Sequence, residues 1–394
     1  MWISVLLRCV LLLMVCLATF AVGVWQRHGP EHPEPTQAVQ AVWPAAEGVG
    51  TGGWMLEARG SIPMPVGALA AHASNLVAMP PGNPAALTAF WFAGDRESAP
   101  NVQIAASQWD RTTQQWTPPR FVVNRHTMGE KLGYGLRRLG NPVAWLDGTG
   151  RMHLFVVATG WGGWAASRVL QLRQSSAGNA LQDLQFEPVR VLPLSWLWNI
   201  SYLVRNPPVT LADGGMVLPV HFELGTKFAS VLHFDGQGAY LGTVRLSAHH
   251  DRLQPSFVMQ SPTDWRAFMR VQRARGKIAV AHTRDAGRSW EDQPDLPLDN
   301  PDAAVAGLGL APRRMVLAYN PSNQGRTALN LGASGNGLSW SVAAAMEQGM
   351  EPNEFSYPAM AWSDGKLWVT YTADRTHIQW QRFVPSTTST RSTP

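Results

Sequence analysis

Thr283-Arg-Asp-Ala-Gly-Arg-Ser-Trp290 is the stretch that decides the fold, and it fits the pattern Ser/Thr-x-Asp-x-Gly-x-x-Trp. The residues spell a tight hairpin turn. Asp285 can fold back to accept from backbone N–H groups, and Gly287 supplies the positive φ that such a turn requires. Thr283 adds a hydroxyl bond, while Trp290 returns to pack its ring between neighbouring strands. The box therefore reads as a structural staple and not as a catalytic element.

Working outward, the 394-residue chain holds 18 Trp, 36 Gly and 29 Pro against only 15% charged residues, which implies many short strands and tight turns. A pattern recurs from His72 onward: a polar residue or proline, an apolar run, a turn often spelled Asp-Gly, and a second apolar run. Its copies begin at His72, Asn141, Asn206, Gln254, Asn300 and Tyr357. A hairpin of this size buries too little surface to stand alone, so the copies must stack. Between them the box returns in altered form. Ala333 to Trp340 keeps the second glycine and the tryptophan, with Gly335 at the aspartate position, and Ser107 to Trp116 is a distorted version. The spacing predicts an all-β, six-bladed β-propeller over residues 54–384, with a tail at 385–394. The starts of the six copies, His72, Asn141, Arg205-Asn206, Gln254, Asn300 and Tyr357, are then expected to converge on one pocket.

Both cysteines, Cys9 and Cys16, lie in the first apolar segment, which excludes a disulfide framework or a thiol nucleophile in the propeller. The run Val10 to Trp25, with Arg8 before it and Arg27-His28 after, predicts a signal anchor over residues 1–28, or a cleaved signal peptide; the propeller is exported in either case. Residues 29–53 read as a Pro-rich linker, extended and poorly suited to a core. A net charge of +5 tolerates an anionic ligand, but no Lys/Arg block or zinc spacing is present, so neither nucleic acid nor a metal or other cofactor is expected.

Among the convergent positions, Tyr357 within Glu354-Phe-Ser-Tyr357-Pro358 suits a phenol nucleophile with a carboxylate nearby, useful against a substrate whose own carboxylate repels Asp or Glu. A buried Tyr with a satisfied hydroxyl fits the same residues. Arg270 and Arg326 fit a carboxylate-binding pair for an anionic sugar. Glu97 or Asp95, after a very apolar strand, is the candidate general acid, with Arg96 beside it; His72, Arg205 and Gln254 complete the candidate substrate-binding set. His221-Phe-Glu223 forms a further polar cluster. Glu354 lies three residues from Tyr357, which puts the two on opposite faces of a strand unless a bulge intervenes. Trp161, Trp164, Trp196, Trp198 and Tyr202 are expected mainly in the inter-blade core, although exposed rings of this kind stack on sugars.

The box TRDAGRSW, an Asp box, together with WFAGDRESAPNV, QPSFV with Arg270, NPDAA, NPSNQGR and EFSYP, resembles the sialidase (neuraminidase) superfamily and its bacterial branch with BNR-like repeats. The resemblance runs from Trp54 to Phe383. It implies three arginines for the sialic acid carboxylate, a Tyr–Glu nucleophile pair and an Asp acid/base; Tyr357, Arg270 and Arg326 match, and Arg96 matches an arginine beside the acid loop. His72-Ala-Ser-Asn75 replaces the segment of the first arginine, Gln254 stands where the activating glutamate is expected, and Asn101 holds the acid position with Glu97 nearby. The expectation is a glycosidase for an acidic sugar of a glycan or surface polysaccharide, anchored in a bacterial inner membrane with a periplasmic propeller, or exported. The alternative is a non-catalytic glycan-binding propeller for envelope polysaccharide handling.

Overall fold

The computed structural model describes residues 2–27, 39–43, 46, 49, 53–176, 178–195, 199–273 and 275–386. Six antiparallel sheets follow one another around a ring, as the six copies require. Blades one to five are built from successive strands, beginning with the inner strands Ala70–Ala78, Arg138–Leu146, Tyr202–Val204 with Val209–Thr210, Arg252–Met259 and Ala306–Ala311. Blade six takes Phe355–Ser363, Lys366–Ala373 and His377–Pro385 from the C-terminal side, and its outer strand Trp54–Ser61 from the N-terminal side. The two ends pair antiparallel from Trp54 opposite Pro385 to Ser61 opposite Gln379, which closes the ring.

The core lies between blades. Trp91, Trp109, Trp116, Trp368 and Trp380 are buried together where blade one meets blade six, with Trp109 and Trp368 edge to face at 4.8 Å. Such large rings fill the widening gap between twisted sheets.

Five of the six inner strands are disturbed where their copies begin. The register shifts between His72 and Asn75, Gly140 and Val143, Leu253 and Ser256, and Ser356 and Ala359. Left-handed residues sit there: Ala73 (φ 54°), Asn141 (39°), Gln254 (53°) and Tyr357 (54°), with Asp302 (45°) ahead of the fifth inner strand. In blade three the inner strand breaks outright between Val204 and Val209, around Arg205-Asn206-Pro-Pro. Bulges re-aim side chains, and here they turn the copy starts towards the axis. The loops joining second to third strands share that end of the ring, which is called the mouth below. The Asp-Gly turns and the boxes lie at the other end.

Two expectations for the N-terminal region change. The linker reading fails for residues 39–43, which form a strap beneath blades three and four. Ala41 is buried and pairs with Leu211, its N–H donates to Pro262 O (2.8 Å), and Val42 N–H donates to Thr210 O (2.8 Å). The exposed backbone groups of these turns offer an edge, and an apolar extended segment takes it. Residue 28, linker residues 29–38, 44, 45, 47, 48 and 50–52, and the tail residues 387–394 lie outside the described residues. The helix Trp2–Arg27 covers the first apolar segment, but among the described residues no helix is long and apolar enough to cross a membrane.

Candidate functional site

The mouth is organised by Tyr357. Its bulge places the phenol ring against His72 of blade one, with ring centroids 4.4 Å apart, and the guanidinium carbons of Arg205 and Arg326 lie 5.3 and 5.8 Å from the ring centroid. The predicted residues Tyr357, His72, Arg205, Gln254, Arg270, Arg326, Glu354 and Glu97 are thus brought to one end of the channel from five blades.

Their partners divide them. Arg205 is 1% exposed and reaches across the channel: its Nη1 donates to Ser74 O (3.0 Å), and its Nη2 to Tyr357 O (2.5 Å) and Pro358 O (2.8 Å). Among the described residues no carboxylate pairs with it, and burial pulls its guanidinium down to about 10. Next to it, Asn206 Nδ2 donates to Gln254 O and Pro255 O, both at 3.0 Å. Arg205 and Asn206 therefore tie blade three to blades one, six and four through main-chain carbonyls of the bulges.

Arg270 and Arg326 stand closer to the opening. Arg270 Nε donates to Asp302 Oδ1 (2.5 Å) and its Nη1 to Gln254 Oε1 (3.4 Å). Burial acts to lower its guanidinium; Asp302, Tyr357 and Glu223 outweigh it and raise the group above its ordinary value. Arg326 donates to Glu354 Oε1 (3.2 Å) and to Asp302 O (2.8 Å). Glu223 is bonded through Oε1 to His221 Nε2 at 3.1 Å.

Glu354 is the most heavily partnered carboxylate. It accepts from Arg326, from Arg375 Nε (2.8 Å) and from Ser356 Oγ (2.8 Å). Burial acts to raise its carboxyl, but Arg375, Ser356 and Arg326 together hold it at about 2. It is thus an anion with its lone pairs occupied, a poor proton acceptor at neutral pH. Arg375 also donates to Glu97 Oε2 at 2.6 Å. The bulge falls at Tyr357 and Pro358, between Ser356 and Ala359, and among the described residues no carboxylate accepts from the Tyr357 hydroxyl. Four guanidiniums, Arg205, Arg270, Arg326 and Arg375, meet four carboxylates, Glu97, Glu223, Asp302 and Glu354, at this end of the channel.

Arg375 and Asp302 were not among the sequence candidates. Arg375 follows Asp374 in the hairpin turn after Lys366–Ala373, both left-handed (φ 57° and 51°). Its place, just past a blade's second strand, matches that of Glu97 in blade one, and that correspondence is the available signal. Asp302 lies two residues after the copy start at Asn300. Of the other candidates, Arg96 is exposed and bonds to none of these groups. Asn101 accepts from Asp95 N–H (3.3 Å), a staple within the loop. Trp164 and Tyr202 pack against a blade core as expected, Trp161 is exposed, and Trp196 and Trp198 lie outside the described residues.

The BNR repeat-like domain matches residues 85–369. Among solved structures, the Hadza microbial sialidase Hz136 superposes with a TM-score of 0.65 at 16% identity, over 81% of this chain and 66% of that one. A protein of unknown function from Dyadobacter fermentans gives 0.64 at 12%, over 85% and 100%. The Trypanosoma rangeli sialidase, solved as a covalent intermediate with 2,3-difluorosialic acid, gives 0.62 at 11%, over 82% and 56%. The chain thus spans about two thirds of the first of these and little more than half of the trypanosomal enzyme. No curated protein matches it in sequence.

Proposed function

The chain belongs to the BNR repeat-like family and has a sialidase-like propeller, and from that premise we propose that it is a glycoside hydrolase of exo-sialidase type acting on an acidic sugar of a glycan or surface polysaccharide. The observation that carries the reading is the set of groups around Tyr357: a bulge-presented phenol with Arg270, Arg326 and Arg375 at the mouth, where the carboxylate of an acidic sugar has guanidinium partners. In this reading Tyr357 is the nucleophile and attacks the anomeric carbon. The Tyr357 hydroxyl gives its proton to water as the C–O bond to the aglycone breaks, and Glu97, released by substrate from Arg375 and protonated from solvent, gives its proton to the leaving oxygen. Water then hydrolyses the sugar–tyrosine bond, its hydroxyl going to the sugar and its proton back to Tyr357. Arg270 and Arg326 bind the sugar's carboxylate in exchange for part of their present bonds to Asp302 and Glu354.

Hydrolysis of fluorogenic glycosides, including the sialic acid and uronic acid derivatives, tests the proposal. Turnover of one acidic glycoside is expected, falling about 10²–10⁴-fold in Tyr357→Phe. Undiminished turnover in that variant removes the nucleophile assignment.

One observation favours a second reading, a non-catalytic propeller that binds acidic glycans in envelope polysaccharide handling. Among the described residues no carboxylate accepts from the Tyr357 hydroxyl, and Gln254 is no base. Binding of an acidic glycan with no turnover across the panel selects this reading.

We further infer that the propeller is exported. The side chains at positions 5–21 of the helix Trp2–Arg27 are all exposed, so this first apolar segment is no part of the propeller core, as expected of an export signal. Fractionation checks this: protease added outside spheroplasts should digest the propeller, and a protein that stays protected until the cells are lysed overturns export.

A further inference from the structure

At the end of the ring opposite the mouth, the turn between a blade's first two strands places a glycine in the left-handed region in blades one, two, three and six. These are Gly82, Gly150, Gly214 and Gly365, at φ 86°, 78°, 84° and 72°. Blade five departs from the pattern. Its turn is Pro312-Arg313, between Ala306–Ala311 and Arg314–Tyr319, and Arg313 is itself left-handed at φ 61°. A residue with a Cβ is strained there, and strain that a glycine would remove points to a use for the side chain. The charge changes as well. Blades two, three and six carry Asp147, Asp213 and Asp364 in this turn, and the box of blade four carries Asp285. Blade five has Arg313 and Arg314 instead, with the neutral Asn336 in its box.

Both arginines line a pocket of about 440 Å³ between blade five and the strand that closes the ring. Trp54 and Val342 give it apolar walls, Gly335 leaves room beside the turn, and no carboxylate lines it. Among the described residues none pairs with Arg313 or Arg314.

We propose that this pocket binds a phosphate monoester. Such an ester carries a charge of about −1.5 to −2 at neutral pH and three acceptor oxygens, so it balances both guanidiniums, whereas a carboxylate balances one. Trp54 and Val342 face the organic part of the ligand. The site lies away from the Tyr357 cluster and stands whether or not the acidic-sugar reading holds. Because Trp54 opens the closing strand, a bound ester joins blade five to the clasp, and a ligand that binds only the closed ring stabilises it. The same chemistry is available from a soluble ester and from a lipid headgroup.

Thermal unfolding of the full chain tests the proposal, with glycerol 3-phosphate as the soluble probe, sodium chloride of equal ionic strength as the control, and phosphatidylcholine vesicles with and without phosphatidate as the lipid arm. The melting temperature should rise with the ester and not with chloride, and the double variant Arg313→Gln, Arg314→Gln should lose the rise. Arg313→Gly separates binding from folding. Without ligand it should melt at or above the parent, its strain removed, yet bind the ester at least about tenfold more weakly. A rise with glycerol 3-phosphate assigns a soluble ester, and a rise with phosphatidate alone assigns the headgroup. No rise with either probe, or a rise that persists in the double variant, overturns the site. An Arg313→Gly protein that binds the ester like the parent overturns it as well.

Discussion

An imidazole wedged between Phe92 and Tyr357, with its Nδ1 buried and unpartnered, loses more by charging than it gains from any neighbour. Burial, and then the charges of Arg375, Arg205 and Arg326 against that of Glu354, hold His72 at about 3. A depressed folded pKa means that the neutral ring's contribution is complete above the ordinary value near 6.5. It is lost as pH falls from there towards 3, at up to roughly 1.4 kcal/mol per pH unit. Urea unfolding of the parent should therefore lose stability between pH 6.5 and 4, and His72→Phe should flatten that slope. An unchanged slope would show that His72 is not the group responsible. Glu354 acts lower, its contribution complete above about 4.5 and lost as pH falls towards 2. At this scale the sequence was partly legible. Tyr357, Gln254 and His72 could be placed together because each opens a copy. Arg375 could not, because Asp374-Arg375 reads as an ordinary turn tip. Nor could Arg205 be recognised as a buried tie, since an arginine at a strand end looks the same whether it faces a ligand or three carbonyls.

Among the elements, the box at Thr283–Trp290 does what its residues predict. Asp285 Oδ1 accepts from Arg288 N–H (3.0 Å) and Ser289 N–H (2.9 Å), Thr283 Oγ1 from Gly287 N–H (3.1 Å), and Trp290 Nε1 donates to Gly287 O (3.0 Å). The second box corrects the sequence reading. Asn336, not Gly335, takes the aspartate role, accepting from Leu338 and Ser339 N–H (2.9 and 2.8 Å), and Ser334 Oγ accepts from Gly337 N–H (2.8 Å). The turn is one residue shorter between hydroxyl and glycine, so counting back seven positions from Trp340 landed on the wrong residues. A neutral acceptor makes weaker bonds than a charged one. Asp285→Ala should cost about 1.5 kcal/mol and Asn336→Ala about 0.5–1 kcal/mol, measured by urea unfolding with each variant otherwise folded. A larger loss from Asn336→Ala would contradict the comparison.

The whole ring was legible in outline, because six copies of one pattern leave few ways to bury their faces, whereas the strap was hidden by the prolines beside it. Closure depends on Trp54–Ser61, tied by pairing to His377–Pro385 and by Glu57 to Lys366 and Arg382 (2.7 and 2.5 Å). Deleting the chain through Ser61 would bare the edge of His377–Pro385, an invitation to pair with another molecule. A lowered melting temperature and self-association in size-exclusion chromatography are expected. An unchanged, monomeric protein would show that the ring does not need this strand.

The same clasp sets an order of events during folding. Its two halves lie roughly 300 residues apart along the chain, so bringing them together costs about 2.5 kcal/mol more loop entropy than closing a hairpin of about 20 residues. The strands of blades one to five pair with sequence neighbours and can condense one after another as the polypeptide appears. Trp54–Ser61, available first, must wait for the strand made last. The sixth blade is therefore the slow step, and until it forms the protein is an open arc with two sticky ends.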